Sequence, residues 1–435
     1  MKKDFDGMAI VRGACEYAKK CGAEKAQVRL SRDEKYELNI EAGKISLYRT
    51  TINVDFGITI HTAYRKGSIS INRYDEEDVQ KAASDALDLA KAGEPDSAND
   101  ISPARPLECF ESGPKEASSE TMHERLTEFI GHCGSNYPYT KLEQCILDFG
   151  YGETFYANTN GAEFLERCGL YDFFAMFTTK IGKKASGFNH SGAVHKDLSS
   201  KLWQWGNIDE LMRQSVEQID VKPVKGSFTG DLIITPDCLG EFIGFMKGIY
   251  LGDYALITGN SPWKDKLGEQ VVSPLLTVCS EPDGSSIEAG YSFTGDGFRA
   301  ENCNLIEKGL LANFTLGLYG SNKTGKPRCP SGGGAIIVQN GTAGLADMIA
   351  DVKKGLVLGR FSGGSPSDNG DFSGVAKNSY LIENGKITRP IGETMIAGNV
   401  GNLFNDIRAV SSEQINYGWG IMPWILSGNI TISGQ

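Results

Sequence analysis

The same order of predicted elements occurs twice in the first 220 residues, and this repeat constrains the fold most. Apolar residues at helical spacing predict helices over 7–22 and 75–93, with alternating strand-like runs between them. A third helix over 118–133 is followed by further strand-like runs and a closing helix over 207–219. Two helix–strands–helix units, at about 1–100 and 105–220, therefore predict a duplicated α+β domain at 1–220.

Beyond residue 220 the sequence changes to short apolar runs separated by glycines. The chain has 435 residues, of which 53 are glycine, and many of these follow the short runs. Short strands bounded by turn residues indicate a β-rich domain with few helices. The fold class predicted is α+β, with a duplicated N-terminal domain followed by a β-rich C-terminal domain at 221–435.

Charge and hydropathy exclude several functions. The net charge is −11 and no dense basic cluster occurs, which argues against direct contact with nucleic acid. No run of 18 apolar residues occurs, so no membrane span is expected. The N-terminal residues lack the continuous apolar segment of a secretory signal. The ten cysteines show no disulfide framework spacing, and we expect reduced thiols in a cytoplasmic protein.

A stripe of glycines interrupts one predicted helix of the C-terminal domain. In "LGEFIGFMKGIYLG" the glycines are Gly240, Gly244, Gly248 and Gly252. Each costs a helix about 1 kcal/mol relative to alanine. Three interpretations stay open. In the first, the helix simply tolerates the glycines. In the second, another helix, a subunit or a ligand approaches the backbone of this helix closely. In the third, the segment is not one continuous helix.

Motifs for nucleotide or metal binding are incomplete. Residues 320–327, "GSNKTGKP", nearly match a phosphate-binding loop, but Pro327 replaces the hydroxyl residue that would hold Mg²⁺. His190 and His195 lie five residues apart around a Ser-Gly pair that indicates a loop, and no third ligand is evident. No histidine follows His195 and no cysteine follows Cys329. The C-terminal domain therefore cannot supply a histidine to a metal.

Two long stretches carry a resemblance to a known family. Residues 290–327 and 341–410, above all "IENGKITRPIGETMIAGN", resemble the C-terminal domain of the TldD/PmbA family, whose members have been described as modulators of DNA gyrase. The resemblance implies a zinc metallopeptidase system that acts on peptides and unfolded chains. In that family the TldD-type subunit binds zinc through an H-E-x-x-x-H helix and a cysteine near the C-terminus. The corresponding segments here, "LGEFIGFMKGIYLGDY" and "INYGWGIMPWILSG", contain neither histidine nor cysteine.

The resemblance therefore implies a PmbA/TldE-type subunit with no zinc of its own and no catalytic residue. Its expected partners are a TldD-type metallopeptidase subunit that carries zinc, or a second copy in a dimer, together with peptide substrates. With ligands absent, the glycine stripe would form a smooth wall for a peptide or subunit. Tyr417, Trp419 and Trp424 are candidate contact residues, or else the packing of a final core strand.

Two alternatives remain at this stage. The chain could be a stand-alone homodimeric peptide-binding protein, or a metal-independent peptidase. The acidic charge argues against DNA contact but not against a protein partner such as gyrase.

Overall fold

The computed structural model describes residues 5–434. Two β-sheets organise these residues: the first is built from strands before residue 196, and the second from strands after residue 226. No helix in the described range is long and apolar enough to cross a membrane. The α+β class and the β-rich C-terminal domain predicted from the sequence are confirmed.

The first unit has the predicted order of helix, strands and helix. Its elements are α1 (Gly7–Lys20), β1 (Lys25–Glu41), β2 (Lys44–Thr62), β3 (Arg65–Ile71) and α2 (Glu76–Ala92). Ala42 and Gly43 join β1 to β2, and both have positive φ, 49° and 74°. Such a two-residue turn matches the twist of a hairpin, as the sequence "EAGK" predicts.

The second unit repeats this order after an additional strand. Its elements are β4 (Arg105–Ser112), α3 (Ser119–Asn136), β5 (Thr140–Asn158), β6 (Ala162–Ile181), β7 (Lys184–Ala185), β8 (Asn189–His195) and α4 (Ile208–Glu217), with a 3₁₀ turn at Leu202–Gln204 before α4. The four helices predicted from the sequence are confirmed to within a few residues. The sequence does not predict the strand β4.

The two units share one sheet with the strand order β3-β2-β1-β5-β6-β4, and β8 pairs with the other end of β6. Antiparallel pairing of β1 with β5 joins the units. On β1, Val28 and Leu30 pack under α1 and α2, while Leu38 and Ile40 pack near α3 and α4. All four have even numbers, so both helix pairs cover the same face of the sheet. The opposite face is left for the C-terminal domain, where Phe164 stacks on Phe293 at 4.9 Å.

The C-terminal domain surrounds a second sheet with short helices. Its helices are α5 (Pro236–Met246), α6 (Asp253–Ile257), α7 (Leu318–Thr324), α8 (Leu345–Asp351) and α9 (Val400–Asn405). Its strands are β9 (Ser227–Ile234), β10 (Val278–Ser280), β11 (Cys303–Glu307), β12 (Leu310–Leu311), β13 (Ile336–Val338), β14 (Lys354–Leu358), β15 (Arg360–Gly363), β16 (Asp371–Lys377), β17 (Ser379–Glu383), β18 (Lys386–Ile391), β19 (Thr394–Asn399), β20 (Ile407–Asn416) and β21 (Gly420–Ser433). The long strand β21 pairs with β9, β13, β19 and β20 and so forms the centre of this sheet.

The glycine-striped segment is not one α-helix. The α-helix α5 ends at Met246, a π-helical turn covers Lys247–Leu251, and Gly252 has an extended conformation before α6 begins. The predicted core side is nevertheless buried, including Leu239, Phe242 and Met246. The backbone of Gly252 is ordinary, but a Cβ atom there would lie 3.3 Å from the Lys247 carbonyl oxygen, so a small residue suits the end of the π-helical turn.

Candidate functional site: a cleft between the two domains

A cleft of about 580 Å³ lies between the two domains. Strands β6 and β8 form its N-terminal wall, with Phe174 and His190 facing the space. Helix α5, Arg360 at the start of β15, and the turn between β20 and β21 form the other wall. Pockets of this size between domains are common sites for ligands.

Hydrogen bonds from strand β8 hold the two walls together. The Val194 amide donates to the Tyr417 carbonyl at 2.9 Å. The Ser191 hydroxyl and the Asn207 side-chain amide donate to the Asp237 carboxylate at 3.0 and 2.8 Å. Asp237 lies in the first turn of α5, where the helix dipole favours a negative charge. Burial nevertheless raises the pKa of Asp237 from its ordinary value.

Two of the four striped glycines line the cleft. These are Gly240 and Gly244, whereas Gly248 and Gly252 do not line it. A Cβ atom added to Gly240 would lie 3.9 Å from the Trp419 ring, and one added to Gly244 or Gly248 would meet nothing within 4 Å. No other helix of the described residues therefore packs against Gly244 or Gly248. The space in front of Gly244 belongs to the cleft.

The structure separates the three aromatic candidates. Tyr417 and Trp419 stack with ring centroids 5.0 Å apart and line the cleft. Trp419 is 48% exposed, whereas the Tyr417 hydroxyl is buried near Asp237. Burial and the nearby Asp237 charge raise the pKa of Tyr417. Trp424 packs elsewhere, against the cluster that contains Met348 and Leu426.

Charged groups of both signs face the cleft. Burial raises the pKa of Glu241 and lowers that of Lys247, whose amine donates to the Gly333 carbonyl. Burial, together with the Arg360 charge, lowers the pKa of His190. On β6, burial and the nearby Asp148 charge raise the pKa of Asp172 to about 6. The cleft can therefore receive a polar ligand as well as apolar side chains.

The resemblance raises the question of zinc, and the cleft's own donors do not fit this ion. The Asp237 carboxylate already accepts two hydrogen bonds. His195 points away from the cleft and bonds Glu288 at 2.6 Å. Across residues 5–434, no group of three His, Cys, Asp or Glu side chains is arranged to hold a metal ion. A structural zinc site needs four such ligands and a catalytic site three.

The predicted loop around His190 and His195 is wrong, because these residues form β8. Since side chains alternate along a strand, the two histidines face opposite sides of the sheet. A Cβ at Gly192 would lie 2.3 Å from the Phe173 carbonyl oxygen, so glycine permits the close approach of β8 to β6. The "SG" pair thus serves strand packing rather than a turn.

A second cleft, of about 800 Å³, adjoins the first at Arg360. Apolar side chains form much of its lining, among them Phe188, Val221, Phe361 and Met395. Sequence reasoning missed Arg360, which lines both clefts, because most of the other residues that line them lie far from it in the chain. The polar start of the run "RFSG" in an apolar sheet was the only signal.

Comparisons with known proteins agree with this architecture. A family model described as PmbA/TldA metallopeptidase C-terminal domain matches residues 227–434. The chain is 22% identical over 427 residues to the metalloprotease PmbA homolog of Haemophilus influenzae, covering 92% of this chain and 90% of that protein. It is also 22% identical over 415 residues to metalloprotease PmbA of Escherichia coli O157:H7, covering 90% and 88%. The crystal structure of TldE from Thermococcus kodakarensis matches with a TM-score of 0.82 at 20% identity, covering 98% of this chain and 100% of that one.

Proposed function

Because the chain belongs to the TldD/PmbA family, we propose that it is a peptide-binding subunit without catalytic zinc. In this proposal it acts with a TldD-type metallopeptidase in the processing of peptides and unfolded chains. The observation that most supports this proposal is the cleft between the domains, where Gly240 and Gly244 leave the backbone of α5 accessible. An extended peptide can approach a backbone closely where no Cβ intervenes. The chain supplies the cleft, and the partner supplies the metal.

The chemistry of the lining supports a peptide as the ligand. Trp419, Tyr417 and Phe174 present aromatic surface, which suits apolar side chains. Glu241 and Lys247 add polar groups of opposite charge, which suits the mixed composition of unfolded chains.

A reconstitution experiment tests the proposal. The full-length chain is assayed alone and with a TldD-type subunit from the same host, using fluorescein-labelled casein as the substrate, with and without a chelator. We expect cleavage only by the pair, abolished by the chelator, and co-elution of the two chains. Chelator-resistant cleavage by this chain alone would favour the metal-independent peptidase. Peptide binding by a homodimer that ignores the TldD-type subunit would favour the stand-alone binding protein.

The glycine stripe supplies a matched pair of variants for this assay. Gly244→Leu places a large side chain in the cleft, and we expect it to reduce casein cleavage by the pair at least tenfold. Gly248→Leu adds the same side chain one turn away, where it does not line the cleft, and we expect near-normal cleavage. Equal activity of both variants would remove the cleft from the proposal.

A further inference from the structure

Arg360 stands where the two clefts meet, and within residues 5–434 no carboxylate lies within ion-pairing distance of it. It is half-buried at the start of β15. In residues 5–434 its guanidinium forms no ion pair within 4.0 Å and donates no hydrogen bond. Asp237 and Glu241 act on it only through space. A partly buried guanidinium without a partner is costly, and its planar fork is suited to binding a carboxylate through two parallel hydrogen bonds.

A second cation lies directly across the ladder. Arg360 pairs with Lys377 in the antiparallel register of β15 and β16, so the two side chains lie on the same face. The Lys377 side chain also makes no ion pair or hydrogen bond within the described residues. Like charges directly opposite each other destabilise a sheet. An anionic group bound between them would remove this repulsion and neutralise both.

The surroundings of the two cations indicate what carries the anion. Both line the second cleft, where Phe188, Val221 and Phe361 provide apolar walls and Glu393 is an acidic member of the lining. Arg360 also lines the first cleft, which we propose holds a peptide. A ligand that fits these surroundings carries an anionic group beside an apolar group, and the rest of it extends into the first cleft. A peptide with a carboxylate next to an apolar side chain has this chemistry.

We propose that Arg360 and Lys377 bind a carboxylate of the peptide, from its C-terminus or from an acidic side chain, while an adjacent apolar side chain occupies the second cleft. This inference rests on the proposed peptide-binding function and adds the group by which the peptide is anchored. It makes the two clefts parts of one binding surface that bends at Arg360.

Matched peptides that differ in their carboxylate groups test the inference. The probes are N-terminally fluorescein-labelled decapeptides of one sequence without acidic residues that ends in leucine, one with a free carboxylate and one with a carboxamide. A third probe is the carboxamide with one internal glutamate. Fluorescence polarisation with the full-length chain gives the affinities. We expect the free acid, the glutamate-containing carboxamide, or both, to bind about tenfold or more tightly than the plain carboxamide.

Variants connect the preference to the two cations. Arg360→Gln should weaken binding of the preferred probe to the level of the plain carboxamide and leave the plain carboxamide unchanged. Lys377→Gln should act in the same direction with a smaller effect, because lysine donates as a single point charge. The control Lys386→Gln removes an exposed cation of β18 that lines neither cleft and should alter no affinity.

The outcomes separate the anchor from the proposed function. Equal affinity for all three probes, or equal losses for every probe in Arg360→Gln, overturns the anchor while peptide binding stands. Binding of none of the probes overturns both. If the free acid alone is preferred, Arg360 and Lys377 bind the C-terminal carboxylate of the peptide. If the glutamate probe is preferred, they bind a side-chain carboxylate. Thermal unfolding adds a second readout, since removal of one of two repelling cations should not lower the stability of the free chain.

Discussion

Strands β3 and β8 occupy equivalent places in the two units, yet only β8 builds the candidate site. Each is the last strand of its three-stranded meander. In the described residues, β3 bonds only to β2 and to the carbonyl of Lys91 at the end of α2. Strand β8 instead bonds to Tyr417 and Asp237 of the C-terminal domain. The comparison shows that, of these two edge strands, the one covered by the C-terminal domain is the one that lines the cleft.

The largest predicted effect comes from the turn that covers β8. Gly418 has φ of +74°, and an added Cβ would lie 1.8 Å from the Val194 carbonyl oxygen. Gly418→Ala must therefore push the turn away from β8, and we expect a loss of about 3–5 kcal/mol in the free energy of unfolding, from strain and overpacking together. Urea unfolding of the full chain measures this loss.

Gly43 in the β1–β2 turn is a matched control for that variant. It has the same φ of +74°, but an added Cβ meets nothing within 4 Å. Gly43→Ala should cost only about 1 kcal/mol of backbone strain. If the two variants lose the same stability, the close approach at Val194 contributes nothing and the comparison of the two edges fails.

The sequence predicts the elements of this fold better than their assembly. Helical periodicity located α1 to α4, and the turns "EAGK" and "NTNG" placed the hairpins, because these signals are local. The sequence allows a break in the striped helix but does not locate it after Met246, since a π turn has no clear local signature. The glycine stripe identified one wall of the cleft through Gly240 and Gly244.

The rest of the site depends on residues distant in the chain. Ser191 and Asp237 meet only because β8 docks on α5. Arg360 gains its role from its position between two clefts and from Lys377 across the ladder. Trp424 had the same local appearance as Trp419, but Trp419 lies in the turn before β21 and lines the cleft, whereas Trp424 lies within β21 and packs against the cluster of Met348 and Leu426. No composition or spacing rule reports such contacts.

The two tryptophans provide the second prediction. Trp424→Ala removes a half-buried ring from the cluster beneath α8, and we expect a loss of about 2–3 kcal/mol in unfolding free energy with unchanged peptide affinity of the folded chain. Trp419→Ala removes an exposed ring from the cleft, and we expect little change in stability but weaker binding of labelled peptide by about fivefold or more. The reverse pattern would place the ligand on the face of Trp424.

A smaller loss of stability is expected when the hydrogen bonds that Asp237 accepts from Ser191 and Asn207 are removed. Asp237→Ala leaves the Ser191 hydroxyl and the Asn207 amide without their shared acceptor, which should cost about 1–3 kcal/mol. Asp237→Asn keeps one acceptor oxygen and should lose less stability. Chemical unfolding of both variants measures the difference. A loss in Asp237→Asn as large as that in Asp237→Ala would show that charge, rather than hydrogen bonding, holds β8 against α5.

The smallest predicted effect concerns the pH dependence of the cleft wall at Asp172. Partial burial and the Asp148 charge raise the pKa of Asp172 from 3.8 to about 6 in the folded chain. The folded state then holds a proton that the unfolded state releases, so this contribution to stability is complete below pH 3.8 and is lost as the pH rises through about 6. The surrounding protein removes only part of the water from Asp172, and the residue as a whole is exposed, so solvent screens the effect and we expect less than about 1 kcal/mol. Asp172→Asn removes the titration, so the stability of the native chain relative to this variant should fall between pH 4 and pH 7 in urea unfolding. A constant difference would show that the pKa of Asp172 is not shifted by folding, and a rising difference would show that it is lowered; either result would contradict the prediction.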